Sequence, residues 1–307
     1  MIRQFCFCLL LAIAIIPVPA RADPQQPYSM SPELIQSVPE GQEIVGPYNQ
    51  PRWAAHGRFS STTDVYVLPP YDFSVDLDYE GTFPRHGTLR DHLFTQEFEL
   101  GLPHRFQIAY ENDFEVIGPH AQETIQCFEF RYALADWGKI PLNPTLFAEY
   151  HFGLGKNYAD QGDDPGEVEN NPDSIEGDIL FGQQLTDKVE WALDVYREQE
   201  LGGQREWENG FSQAFTYAIR DEYLKVGLEM LFDSRTEAGD RRDTAYEFDI
   251  GPSLTCKPGR RIEIDFAPLF GTTAGSPAVN VFAVFSYDFG NVQNGGEIEK
   301  PISRQNH

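Results

Sequence analysis

Residues 94–114 read "FTQEFELGLPHRFQIAYENDF". Phe94, Phe98 and Leu100 fall on one side of a period of two, with Thr95, Glu97 and Glu99 on the other. After the break at Gly101, Leu102, Pro103 and His104, Phe106, Ile108, Tyr110 and Phe114 oppose Gln107, Glu111 and Asp113. A strict period of two places alternate side chains on opposite faces, so both arms read as strands and the unit as a β-hairpin. One face is oily and aromatic, and the other carries carboxylates.

The same pattern recurs along the chain. "YDFSVDLDYEGTF" at 71–83 alternates through its centre, and further alternating segments fall at 93–101, 105–115, 123–134, 145–154, 174–183, 188–199, 206–218, 223–233, 244–255, 260–270 and 277–289. That makes about twelve strands, most near the ~9–11 residues a tilted strand needs to cross a bilayer. Tight links at 102–105, 184–188, 219–223 and 256–260, with a looser one at 136–144, take turns with longer polar ones such as "PRHGTLRDH", "VIGPHAQE", "GKNYADQGDDPGEVENNPDS" and "SRTEAGDRRD". Short turns at one end and long loops at the other are the habit of outer-membrane barrels. A soluble antiparallel sandwich also alternates, but it turns its polar face outward and leaves edges open. The aromatic weight of faces such as "VNVFAVFSYDF", the even strand number and the link parity favour closure. The expected fold is all-β, an antiparallel up-and-down transmembrane β-barrel of about 12 strands over 71–290.

The flanks read differently. "MIRQFCFCLLLAIAIIPVPARAD" sets Arg3 before an apolar run and ends it with Ala20-Arg21-Ala22, the form of a secretory signal peptide over 1–22. The run is too short to span a bilayer as a helix, and Pro17 and Pro19 close it. Asp23, not cysteine, follows the expected cut, which disfavours a lipid anchor. Residues 23–70 are rich in Pro, Gln, Ser and Gly and read as a mostly irregular periplasmic segment, with one short strand allowed in "TTDVYVLPP" at 62–70. A polar tail occupies 291–307. Beyond the signal only Cys127 and Cys256 remain, expected at opposite ends of the strand pattern and too far apart to bridge. The chain holds 48 acidic against 23 basic residues, a balance that repels a nucleic-acid backbone.

The signal, the aromatic alternation and the final "FSYDFG" resemble bacterial outer-membrane β-barrels. "EFELGLPHRFQIAYEND" in particular resembles hairpins of the barrel family named for the MetA pathway of phenol degradation. That resemblance implies a transporter-like barrel passing small molecules, with no catalytic residue to carry over. Barrels of this kind end at the aromatic of the last strand, whereas here a tail follows Phe289.

If the aromatic faces meet lipid, the opposite faces line the lumen. The candidates are Glu97, Glu99, Glu111, Glu129, Arg131, Glu149, His151, Asp178, Glu190, Asp194, Lys225, Glu229, Glu247, Asp249, Glu263 and Asp265, with Asp76, Asp78 and Glu80 on the first strand. Carboxylates so crowded pair with the few bases, take up protons or hold cations. The bland alternative is a solvated face. No His-x-Ser pair suggests a lipid-cleaving barrel, although His86, His92 and His120 lie in or beside loops where a hydrolase could use them. The acidic loop at 160–173 lacks the ligand order of an EF-hand, and neither a metal nor a cofactor is expected. The first reading is therefore a non-enzymatic bacterial outer-membrane channel whose partners are lipid and a small-molecule or ion solute, with a cation-favouring lumen. A closed-lumen barrel for surface binding or scaffolding comes second, and an outer-membrane hydrolase third.

Overall fold

Alternation at period two buries one side-chain face only if the sheet finds something to pack against, and here the sheet packs on itself. The computed structural model describes residues 47–50, 64–86, 91–158, 168–220, 223–259 and 261–289. The expected signal segment, the tail beyond Phe289 and the acidic loop up to residue 167 lie outside the described residues.

Twelve strands run β1 Phe73–Phe83, β2 Asp91–Leu102, β3 Phe106–Ile117, β4 His120–Ala133, β5 Thr145–Gly153, β6 Ser174–Gln184, β7 Val189–Glu200, β8 Trp207–Arg220, β9 Leu224–Thr236, β10 Ala245–Cys256, β11 Ile262–Gly271 and β12 Val279–Asp288. Each pairs antiparallel with its sequence neighbour, and β12 returns to β1 in register from Ser74↔Asp288 to Phe83↔Val279, closing a barrel. Closure matters because each backbone N–H and C=O in hydrocarbon needs an internal partner, and a sheet edge would leave a row without one.

Two readings of the connections are corrected. Leu102 ends β2 and Gly101 lies inside it, so the first hairpin turns at 103–105. His104 and Arg105 adopt the positive φ values of 67° and 66° that tight hairpin turns demand. "VIGPHAQE" is not a long loop: β3 and β4 run on to Ile117 and His120, leaving Gly118 and Pro119 between them. Glycine and proline, residues that suggest a loop, make a tight turn here between long strands. The longest link is 154–173, at the end opposite the 103–105 turn.

The alternation sorts the faces cleanly. On β2 and β4, Glu97 is 4% exposed and Glu129 3%, while Phe98 is 40% and Phe128 48%. Outward aromatics meet their cross-strand neighbours, as with Phe106 and Tyr132 at 4.5 Å between ring centroids and Tyr110 and Phe128 at 5.4 Å. In hydrocarbon such rings would need no protein cover.

The β10–β11 ladder is interrupted midway. Pairing holds at Ile250↔Phe270 and resumes at Leu254↔Phe266, a register that sets Pro252 opposite Pro268. Proline lacks a backbone donor, so neither can supply a rung, and no edge is available to absorb the loss.

Unboiled protein in detergent should migrate differently from boiled protein, because the closed ladder resists detergent until heated. Phe128→Arg should cost about 2–4 kcal/mol of folding free energy in lipid, the expected penalty for a charge near the bilayer midplane. A cost as small for Phe128→Arg as for a polar change in an external loop would mean that this face does not meet hydrocarbon. Replacing Pro252 and Pro268 together by Val should raise the temperature of the gel shift by restoring the missing rungs.

Candidate functional site

The inner face is occupied at its short-turn end by the chain's own N-terminal segment. Val65, Tyr66, Val67 and Leu68 are at most 1% exposed, and residues 62 and 63 of the strand allowed at 62–70 lie outside the described residues. Val65, Tyr66 and Val67 pack with Ala133, Trp137, Ala192 and Ala214, small inward residues of β4, β7 and β8 and one indole from the 134–144 link. The Tyr66 and Trp137 rings meet edge to face at 5.2 Å. Side chains of the wall reach the backbone of this plug. Leu68 N donates to Gln107 Oε1 at 2.7 Å, and an Arg131 guanidinium nitrogen donates to the carbonyls of Asp64 and Tyr66 at 3.2 Å each.

Further contacts hold the plug to the short-turn mouth. Tyr66 donates its hydroxyl proton to the Ala135 carbonyl at 2.8 Å. Burial, reinforced by the nearby Asp136 charge, pushes this hydroxyl above the usual phenol range and keeps it a neutral donor. Trp137 N donates to the Tyr48 carbonyl at 2.8 Å, and Asn49 Nδ2 to the Trp137 carbonyl at 3.1 Å. Two inward glycines leave room for the segment. A Cβ on Gly182 would stand 2.9 Å from Val65 Cγ2, and one on Gly101 only 2.0 Å from the Pro69 carbonyl oxygen.

Arg131 is the pivot of the inner wall. It is 1% exposed, its guanidinium lies 2.8 Å from Glu129 and 3.9 Å from Glu99, and it covers the Phe147 ring at 5.1 Å. Gln107 Nε2 donates to Glu99 Oε1 at 2.7 Å, so one carboxylate serves both the arginine and the glutamine that grips the plug. A buried carboxylate is tolerable only when paired or hydrogen-bonded, and here plug and acid share one cation.

The remaining sequence candidates distribute as follows. Asp178, Glu190, Asp194, Lys225, Glu229, Asp249, Glu263 and Asp265 are buried, while Glu111, Glu149, His151 and Glu247 are half-buried. Lys225 reaches Glu190 at 2.9 Å, Asn280 donates to Asp249 at 2.8 Å, and Thr255 donates to Asp265 at 2.5 Å. The register sets Glu97 against Glu111 and Glu129 against Glu149. Like charges directly opposite destabilise a sheet, which is a cost this wall carries. Asp178 and Asp194 have no base within ion-pair distance among the described residues.

Several participants escaped sequence reading. Lys257, at a turn, pairs with Glu263 at 2.8 Å, and Arg235 pairs with Glu208 at 2.8 Å. Cys127, read as lying near one end of its strand, is central in β4 and fully buried, because the strand starts earlier than its apolar pattern suggests. Although no His-x-Ser pair exists in sequence, Ser174 Oγ is 3.0 Å from His151 Nδ1 across the β5–β6 pair. Only register brings them together. Alternation identified the inward positions but carries no information on which strands' residues align.

A closed barrel of this strand number, apolar outside and acidic inside, defines the class of outer-membrane barrel architecture. In particular, the chain is similar in fold to the crystal structure of an outer-membrane channel from Pseudomonas putida, with 12% identity, a TM-score of 0.53 and coverage of 74% of this chain and 98% of that one. Lower likenesses are found to the NanC porin (10% identity, TM-score 0.45, 71% and 100% covered). The KdgM porin in complex with disordered oligogalacturonate gives 9% identity and a TM-score of 0.46, with 71% and 99% covered. No protein-family model and no curated protein matches the chain.

Gly182→Leu should displace residues 65–68 and enlarge single-channel conductance while the heat-dependent gel shift persists. Unchanged conductance would mean that the segment does not obstruct the lumen. Arg131→Met leaves Glu129 and Glu99 without their shared cation and should cost about 3–5 kcal/mol in a urea titration, the range for breaking a buried ion pair from one side.

Proposed function

We propose that the chain is an exported bacterial outer-membrane channel for small solutes, with a cation-favouring lumen whose short-turn, periplasmic end is narrowed by residues 64–70. The observation that carries the reading is the inner face itself: carboxylates from every part of the wall, including Glu97, Glu111, Glu229 and Asp249, against few bases. Low-dielectric walls focus such a field, concentrating cations and repelling anions. The fold likeness to an outer-membrane channel supports the membrane setting. Export by cleavage after Ala22 supplies the route.

The buried plug gives the second reading its footing, a closed barrel used for surface binding or scaffolding. Conduction separates the two. In a planar bilayer under a salt gradient, the protein should show a reversal potential of the cation-selective sign. That potential should shrink as salt approaches molar levels, where the screening length falls to ~3 Å. Changing Glu97, Glu111 and Glu229 together to Gln keeps shape and polarity while removing charge, and should move the reversal potential toward zero. Anion preference, or an unmoved potential in the triple variant, overturns the selectivity. Absence of any conductance in correctly folded protein, including the Gly182→Leu form, overturns the channel in favour of the closed barrel.

A further inference from the structure

Halfway along the inner wall, three side chains of different chemistry meet. The Cys127 thiol sulfur, a carboxylate oxygen of Glu149 and a ring nitrogen of His151 all lie within 4.8 Å of one another. The register explains the meeting: Cys127 on β4 stands directly opposite His151 on β5, and Glu149 is the next inward position on β5. We propose that this cluster is a binding site for a thiophilic divalent transition metal of the zinc class.

The donor set selects the ion. Thiolate and imidazole suit zinc and its borderline-soft relatives, whereas calcium and magnesium take oxygen ligands almost exclusively. Metal bonds of about 2.0–2.3 Å would hold the donor atoms roughly 3–4 Å apart, so the cluster needs only small side-chain shifts to receive an ion. Three protein ligands would leave a fourth position open toward the lumen.

The imidazole is already oriented for the task. Nε2 faces Glu149 Oε2 at 2.6 Å, while Nδ1 lies 3.0 Å from Ser174 Oγ and 3.4 Å from Glu198 Oε1. Ser174 in turn donates to Glu198 at 2.5 Å. Ser174 gives its own proton to Glu198, so its Oγ accepts from Nδ1–H, and release of the Nε2 proton that bridges to Glu149 would leave that lone pair aimed at the space shared with Glu149 and Cys127. Metal-binding histidines characteristically have such a carboxylate behind the ring. Ser174 and Glu198 are therefore positioning residues.

Charge favours the same conclusion. Glu129, Glu149, Glu176 and Glu198 stand opposite one another in succession across β4, β5, β6 and β7. Arg131 engages Glu129 at one end of this row, leaving Glu149 and Glu198 to His151. A dication bound by the Glu149 carboxylate and the Cys127 thiolate would be neutralised by them, with the thiol proton and the His151 Nε2 proton released to solvent. Exposure rises from 0% at Cys127 to 12% at the His151 side chain and 28% at Glu198, so an ion would approach from the lumen with the sulfur deepest.

The test is direct titration of the whole protein, purified in detergent and stripped with a chelator, with cobalt(II). One equivalent should bind with a sulfur-to-cobalt charge-transfer absorption, and zinc should displace it. Cys256→Ser should keep that absorption and Cys127→Ser should abolish it. Glu198→Gln should weaken binding about 10- to 100-fold by loosening the imidazole. Should Cys127→Ser fail the heat-dependent gel shift, His151→Gln takes its place and should lower affinity by at least about tenfold. Absence of the band in folded wild-type protein, its persistence in folded Cys127→Ser, or unchanged affinity in folded His151→Gln would overturn the proposal. None of these readouts depends on whether the lumen conducts.

Discussion

Backbone hydrogen bonding in a medium without water is the constraint on which the whole structure depends. Every N–H and C=O across hydrocarbon must be satisfied within the protein, and strands achieve this only when the sheet has no edge. The β1–β12 register from Ser74 to Phe83 is therefore as consequential as any side chain. Once the ring is closed, pleating sends alternate residues to an outer apolar face and to the interior. The interruption at Pro252 and Pro268 stands out against that background, since a closed ladder elsewhere leaves little room for residues without a donor.

Closure creates a second problem, the charge of the interior. Acidic side chains on neighbouring strands face one another, as with Glu97 and Glu111. In a low-dielectric enclosure such proximity is unfavourable unless cations, protons or hydrogen-bond donors intervene. The wall places its few bases where they serve twice. Arg131 compensates Glu129 and Glu99 and also anchors the carbonyls of Asp64 and Tyr66, coupling the plug to the electrostatics of the wall. His151 bridges Glu149 and Glu198 across three strands. A thiophilic dication at Cys127, as proposed, would extend the same solution to Glu149, beyond the end of the row that Arg131 engages.

The plug shows how an irregular segment becomes ordered without secondary structure of its own. Val65 to Leu68 supply apolar bulk, Ala133, Ala192 and Ala214 leave a space of matching size, and Gln107 and Arg131 provide the bonds a ladder would have supplied. In sequence, "DVYVL" alternates no more tellingly than any short strand, and the alanines look like small core residues. Their complementarity lies in volumes contributed by β4, β7 and β8, which no local window samples.

Strand number, strand type, the aromatic outer face and the acidic inner face were legible in the sequence, because a period of two is a local property and a twelve-fold repetition of it leaves little else to build. The inward placement of Glu129, Arg131 and His151 followed from the same parity. What only the tertiary structure decided was which inward residues meet. Cys127 with His151, Ser174 with His151 and Arg131 with Asp64 are joined by cross-strand register and by the return of the N-terminal segment into the barrel. Register is set by the bulges, turn lengths and closure of the entire ring, as in the two-residue turn at Gly118 and Pro119 and the irregularity after Asp113. A one-residue change in any of these would realign its neighbours, so the meeting of those side chains is a property of the closed barrel and not of any segment within it.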